Sequence, residues 1–165
     1  MREDDDVDLV IDAWAGALPD LDLAPLDVVS RLRRLSPRVQ EVRRQSFAVS
    51  DLAPWEFELL SLLRQRGEGG MTPSALATHL ALSSGNLASR VDRLGARGLV
   101  VREQNAADSR SKIVSLTPRG MKRVDEAMRN LVAAEGEVLA DLDAAQVSVL
   151  IECLRRISDT LDRLQ

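Results

Sequence analysis

Residues 71–120 read MTPSALATHLALSSGNLASRVDRLGARGLVVREQNAADSRSKIVSLTPRG, and their punctuation decides the fold. Thr72 can cap a helix with Pro73 at its first position, where the missing N–H costs nothing. The run Ser83-Ser84-Gly85-Asn86 interrupts that helix. Ser83 can cap a second one reaching to about Arg97, with Gly98 as its stop. Two short helices joined this tightly make a helix-turn-helix. Residues 99–102 and 112–116 are then rich in β-branched side chains, and the polar stretch 104–111 lies between them. They read as a β-hairpin whose tip carries Asn and Asp in place of glycine, so a loop longer than two residues is expected. Thr117 and Pro118 repeat the cap-and-proline signature and open a long helix.

Working outward, Pro54 opens a helix whose residues Phe57, Leu59, Leu60, Leu62 and Leu63 call for burial, and the run RGEGG at 66–70 closes it. Upstream, Val28, Leu32, Leu35, Val39 and Val42 are spaced four, three, four and three, which is a coiled-coil-like seam. Pro37 falls inside that seam and predicts a kink or break near Ser36. Residues 7–18 form a short amphipathic segment holding Trp14, followed by a loop over 18–25. Downstream, Met121, Val124, Met128, Leu131, Val138 and Leu142 keep one stripe. Val147, Leu150, Leu154, Ile157, Leu161 and Leu164 keep another. A helix this apolar on one face needs a partner.

The expected fold is mainly α with a small β-hairpin wing. Residues 1–6 read as a disordered acidic tail and 7–50 as N-terminal helices of a dimerisation region. Residues 51–117 form a winged helix-turn-helix lobe, and 118–165 form C-terminal dimerisation helices. The 45% hydrophobic and 29% charged composition of the 165 residues suits one folded domain, and the near absence of aromatics suits packed helices. No apolar run approaches the ~20 residues of a membrane span. The acidic start MREDDD is the reverse of a signal peptide, so a cytoplasmic location is expected.

The net charge of −4 argues at first against a nucleic-acid partner. The charge is uneven, however. Residues 1–8 alone sum to −4, whereas residues 83–112 hold six cations and three anions. Local potential steers a polyanion more than the molecular average does. A helix entering the major groove needs short polar residues at its tip, and Ser83, Ser84, Gly85, Asn86 and Ser89 supply them. Leu87, Val91 and Leu94 would face the core behind them, with Arg90 and Arg93 on the flanks within reach of phosphate or base edges. Arg110 and Lys112 stand at or near the hairpin tip, placed for the adjacent minor groove or backbone. Polar residues ahead of a helix also serve as plain caps, and helical arginines as a solvated face. The ordered combination is what points to double-stranded DNA. A two-fold homodimer would present two such helices about one DNA turn (~34 Å) apart.

The block at 52–120, above all SSGNLASRVDRLGARGLVVRE (83–103), ADSR (107–110) and VSLTPRG (114–120), resembles the MarR family of multiple-antibiotic-resistance regulators. With its flanking helices the resemblance extends over roughly residues 7–164. It implies a dimer built by N- and C-terminal helices and carrying two winged lobes. It also implies a DNA-binding transcription regulator, commonly a repressor released by a small molecule or by oxidation. By this resemblance Ser84, Gly85, Asn86, Ser89 and Arg90 match recognition-helix positions, Arg110 the wing-tip arginine, and Asp108 a wing aspartate that orients a neighbouring arginine. Asp108 equally reads as a turn residue. Where the family often has Asp-Arg-Arg, this chain has Asp108-Ser109-Arg110, which removes one phosphate contact.

Trp14 lies ahead of the family's core architecture and resembles a branch that responds to urate and related anions. The matching ligand positions would be Trp14, Glu58, Arg90 and Arg102. Trp14 is also what a core or interface tryptophan looks like, so the effector stays at the level of a small anionic or aromatic molecule.

Other classes find little support. A single cysteine, Cys153, excludes an internal disulfide and reads as a small buried apolar residue. His79 has no ligand cluster around it in sequence, so no metal is expected, and no cofactor. Catalysis would need a nucleophile–base pair, a metal cluster or a phosphate loop, and RGEGG lacks the Lys-Ser/Thr of a P-loop. An enzyme is therefore not expected. The rival reading is a winged-helix dimer that acts as a protein-interaction adaptor with weak or no DNA binding.

Overall fold

The structure is a computed structural model that describes residues 6–67, 69–105 and 108–164, with side chains described outside 105–111. The chain forms two compact units, Met1–Arg44 and Gln45–Gln165.

The first unit holds helix α1 (Asp6–Ala17) and most of helix α2 (Ala24–Val49). Val7 is buried, and acid–base pairs tie α1 to α2. Arg31 donates to Asp8 of α1 at 2.5 Å, as well as to Asp27 of its own helix at 2.7 Å, and Arg34 pairs with Asp6. Asp22 accepts from the Ala24 N–H at 3.0 Å, which caps the entry to α2. Of the kink or break expected near Ser36, the break does not occur: α2 runs as one helix through Pro37. Proline removes one backbone bond but leaves the rest of the ladder, and the turns on either side carry the helix across. Within the chain, Leu32, Val39 and Val42 of the seam predicted for this helix are partly buried. Val28 and Leu35 are half exposed.

The second unit contains helices α3 (Pro54–Arg66), α4 (Pro73–His79), α5 (Ser84–Ala96), α6 (Pro118–Val138) and α7 (Ala144–Arg163), with strands β1 (Val100–Asn105) and β2 (Asp108–Leu116). The caps are where the sequence put them. Thr72 accepts from Ala75 N–H, Ser83 from Asn86 N–H and Thr117 from Gly120 N–H. Gly98, with φ +67°, ends α5 in a conformation other residues avoid. The core is built from Leu59, Leu60 and Leu63 of α3, Leu76 of α4, Leu87, Val91 and Leu94 of α5, Val114 of β2 and Val124 of α6. Phe47 at the end of α2 stacks on Phe57, with ring centroids 4.2 Å apart.

The hairpin is antiparallel, pairing Val100 with Leu116 and Arg102 with Val114, and its register shifts between Gln104 and Asn105. The strands run further than expected. Asn105 pairs with Asp108, so two residues connect them where a longer loop was expected. Met71 adds an unforeseen third element, exchanging backbone bonds of 2.9 and 2.8 Å with Val114. At the far end of the hairpin, α6 starts so close that a Cβ on Gly120 would lie 1.9 Å from the Leu99 carbonyl oxygen. Only glycine fits there.

Candidate nucleic-acid interface

The start of α5 is a capped, exposed and polar helix tip. Ser83, Ser84, Gly85, Asn86 and Ser89 are all exposed, while Leu87, Val91 and Leu94 are at most 2% exposed behind them. The 3.6-residue repeat separates the two sets by itself, since 87, 91 and 94 share one face. Packing that face against α4 and the hairpin leaves the opposite side open to a groove.

The arginines predicted around this helix have different surroundings. Arg90 is partly buried and Arg93 exposed, and both guanidinium carbons lie over the Trp55 ring, at 5.2 and 5.3 Å from its centroid. Arg97 donates to Glu56 and to both the carbonyl and the carboxylate of Asp51, each at 2.6 Å. The hydrogen bond that Arg97 donates to Glu56 raises Arg97 above its ordinary arginine value against the cost of burial, and Asp51 adds to the effect. Glu56 is itself buried and also accepts from the Ala53 N–H, so it ties the first turn of α3 to the last turn of α5. The corner between α2 and α3 is held from the other side by Arg123, bonded to the Ser50 carbonyl, and Asn130, bonded to the Ser50 hydroxyl.

Arg102 on β1 pairs with Asp92 at 2.7 Å and donates to the Ala88 carbonyl at 3.2 Å, which stitches the wing to α5. Lys112 is exposed on β2, opposite Gln104. The side chains of Asp108 and Arg110 lie outside the described residues, although the backbone places both on β2. Between α4, α5 and the hairpin lies an open cavity of about 640 Å³. Ala77, Leu82, Leu87 and Val91 wall it, and Arg102 and Lys112 stand at its edge.

Of the residues proposed for an effector, Glu58, Arg90 and Arg102 belong to the second unit and Trp14 to the first. Arg90 lies on Trp55 and Arg102 on Asp92. Glu58 is exposed on α3, and Trp14 belongs to the other unit, where it is half exposed. Cys153 is exposed, contrary to the expected burial, because no residue of α7 is buried within the chain. Among the described residues no group of three or more His, Cys, Asp or Glu could hold a metal ion. Nor is any helix among them long and apolar enough to cross a membrane. Sequence reasoning missed Trp55, the Arg97 network and the Met71 bridge. Each joins positions far apart in the chain, and no local spacing signals them.

A family model described as the MarR family matches residues 50–111. The HTH-type transcriptional regulator PecS of Dickeya dadantii is 28% identical over 153 residues, covering 92% of each protein. Among solved structures, a mutant MarR from E. coli complexed with operator DNA superposes with a TM-score of 0.62 at 22% identity, over 87% of this chain and 96% of that one. CouR from Rhodococcus jostii RHA1, bound to p-coumaroyl-CoA, superposes with a TM-score of 0.63 at 24% identity, over 79% and 91%.

Proposed function

This chain belongs to the MarR family, and from that premise we propose that it is a sequence-specific DNA-binding transcriptional regulator. It acts as a homodimer on a pseudo-palindromic operator, as a repressor that responds to a small anionic or aromatic effector. It works by binding and not by catalysis, in the cytoplasm where its DNA lies. The observation that carries this reading is the exposed polar tip of α5 backed by three buried apolar residues.

In this reading Ser83, Ser84, Gly85, Asn86 and Ser89 enter the major groove. Arg90, Arg93 and Lys112 meet phosphates, and Asp108 and Arg110 act from the wing. The free N–H groups at the start of α5 add a partial positive charge for a phosphate. The winged lobe spans 51–117, and the helices of 7–50 and 118–165 make the dimer. The uncovered apolar face of α7 supports that assignment, since Leu150, Leu154, Ile157, Leu161 and Leu164 are 36–77% exposed. An effector that engages Arg90 and Arg102 would compete with the phosphate contacts of the same helix. Ligand binding and DNA release would then be linked.

The test is a selection from random duplexes with purified protein, followed by a salt titration on the winning duplex. Specific binding that weakens steeply with salt is expected. Asn86→Ala should relax preference at particular base pairs, whereas Arg110→Ala should weaken every duplex alike. A monomer, or a dimer indifferent to all duplexes at low ionic strength, would leave the adaptor reading in its place.

A further inference from the structure

The four arginines around α5 fall into two kinds. Arg97 and Arg102 face carboxylates, of Glu56 and Asp51 in one case and Asp92 in the other, so each has a counter-charge within the lobe. Arg90 and Arg93 have no carboxylate partner among the described residues, and the contact described for each is the face of Trp55. An aromatic face attracts a guanidinium through its quadrupole yet carries no net charge. A cation held this way keeps its full charge for an outside anion, which a cation held by a carboxylate does not.

Two like charges one turn apart repel, and an arginine side chain is free to rotate in solvent. A single ring shared by both opposes each tendency. The ring itself is well anchored. Trp55 sits in the first turn of α3, directly after Pro54 and before the buried Glu56, and it packs partly buried against the core cluster. The helix that bears the arginines is tied to the same turn of α3 through Arg97 and Glu56.

We propose that Trp55 is a positioning residue for DNA binding, a shelf that holds Arg90 and Arg93 uncompensated and aimed at phosphates. This rests on the DNA-binding reading above. It assigns a role to a side chain that touches no base. It also identifies Arg90 and Arg93 as charge that α5 offers to DNA.

The experiment uses the full chain and two probes. One is the duplex selected with wild-type protein, and the other an unrelated duplex of equal length. Affinity is measured against salt for the wild type, Trp55→Leu and Trp55→Phe, with thermal melting as the folding control. Trp55→Leu should weaken both duplexes about tenfold, since the loss is one of phosphate contact and not of base readout. Its log–log salt slope should fall by about one to two, each lost phosphate contact being worth about 0.9. Trp55→Phe keeps a ring face and should keep the slope. A role in folding alone would lower the melting temperature and leave the slope unchanged. Trp55→Met fills the site without a ring and replaces the leucine variant if that fails to fold. A folded Leu or Met variant with the wild-type slope overturns the proposal. So does a Phe variant that loses as much slope as the leucine one. Wild-type protein that binds no duplex overturns the DNA-binding reading itself, and this proposal with it.

Discussion

Helices α5 and α7 are amphipathic to a similar degree, yet the structure treats them in opposite ways. On α5 the apolar stripe Leu87, Val91 and Leu94 is buried. On α7 the stripe is longer and more regular, yet not one residue of it is buried. A stripe of this kind states that a face must leave water, worth roughly 1.5–3 kcal/mol for each large side chain fully covered. It does not state what covers it. For α5 the cover comes from the same lobe, from α4 and β1 among others. For α7 nothing described within the chain supplies it, and the proposed second copy does.

That contrast can be broken most forcefully at Leu94. It is wholly buried, and Leu94→Ala should destabilise the lobe by about 3 kcal/mol in urea denaturation, transfer and cavity terms together. A loss below about 1 kcal/mol would mean that the site collapses easily and that the two helices differ less than their burial suggests. The matching change on α7 is Leu154→Asp. In the dimer it would bury an unpaired carboxylate, so the dimer should dissociate about a hundredfold more readily in sedimentation while the lobe core stays intact. An unchanged molecular mass would move the cover of α7 elsewhere.

The smallest effect concerns an ion pair inside the lobe, of a kind α7 lacks among the described contacts. Arg64 of α3 bonds Asp125 of α6 at 2.8 Å, and this holds the Asp125 carboxyl below its usual range against the cost of burial. A carboxylate lowered in the folded state adds stability above its unfolded value, near 4, and loses it as pH falls through the folded value. The urea midpoint of Asp125→Asn should therefore change less between about pH 6 and about pH 3 than that of the wild type. The difference should be slight, because both side chains are a third or more in solvent or close to it.

Much of the fold could be read from neighbouring residues. Thr72, Ser83 and Thr117 each cap a helix by accepting from the N–H three positions on, a bond that needs no tertiary context. Pro54, Pro73 and Pro118 each stand in the first turn of a helix, as proline does elsewhere. The polar tip of α5 was readable for the same reason. A period of 3.6 sends Leu87, Val91 and Leu94 to one face and the serines to the other. Local rules failed where a larger context outweighed them. Pro37 was tolerated by a 26-residue helix able to absorb one missing bond. Cys153 follows its helix, and that helix buries nothing on its own.

The order of elements, the capped starts of α4, α5 and α6 and the apolar face of each helix were set by the sequence alone, because capping and periodicity act over three or four residues. The tertiary structure decided which charges remain available. Arg97 is paired with Glu56, 41 positions away, Arg102 of the wing is drawn to Asp92 of α5, and Arg90 and Arg93 meet Trp55. A count of cations along the chain treats these arginines as equals. Only folding, which brings an acid to some and an uncharged ring to others, tells them apart.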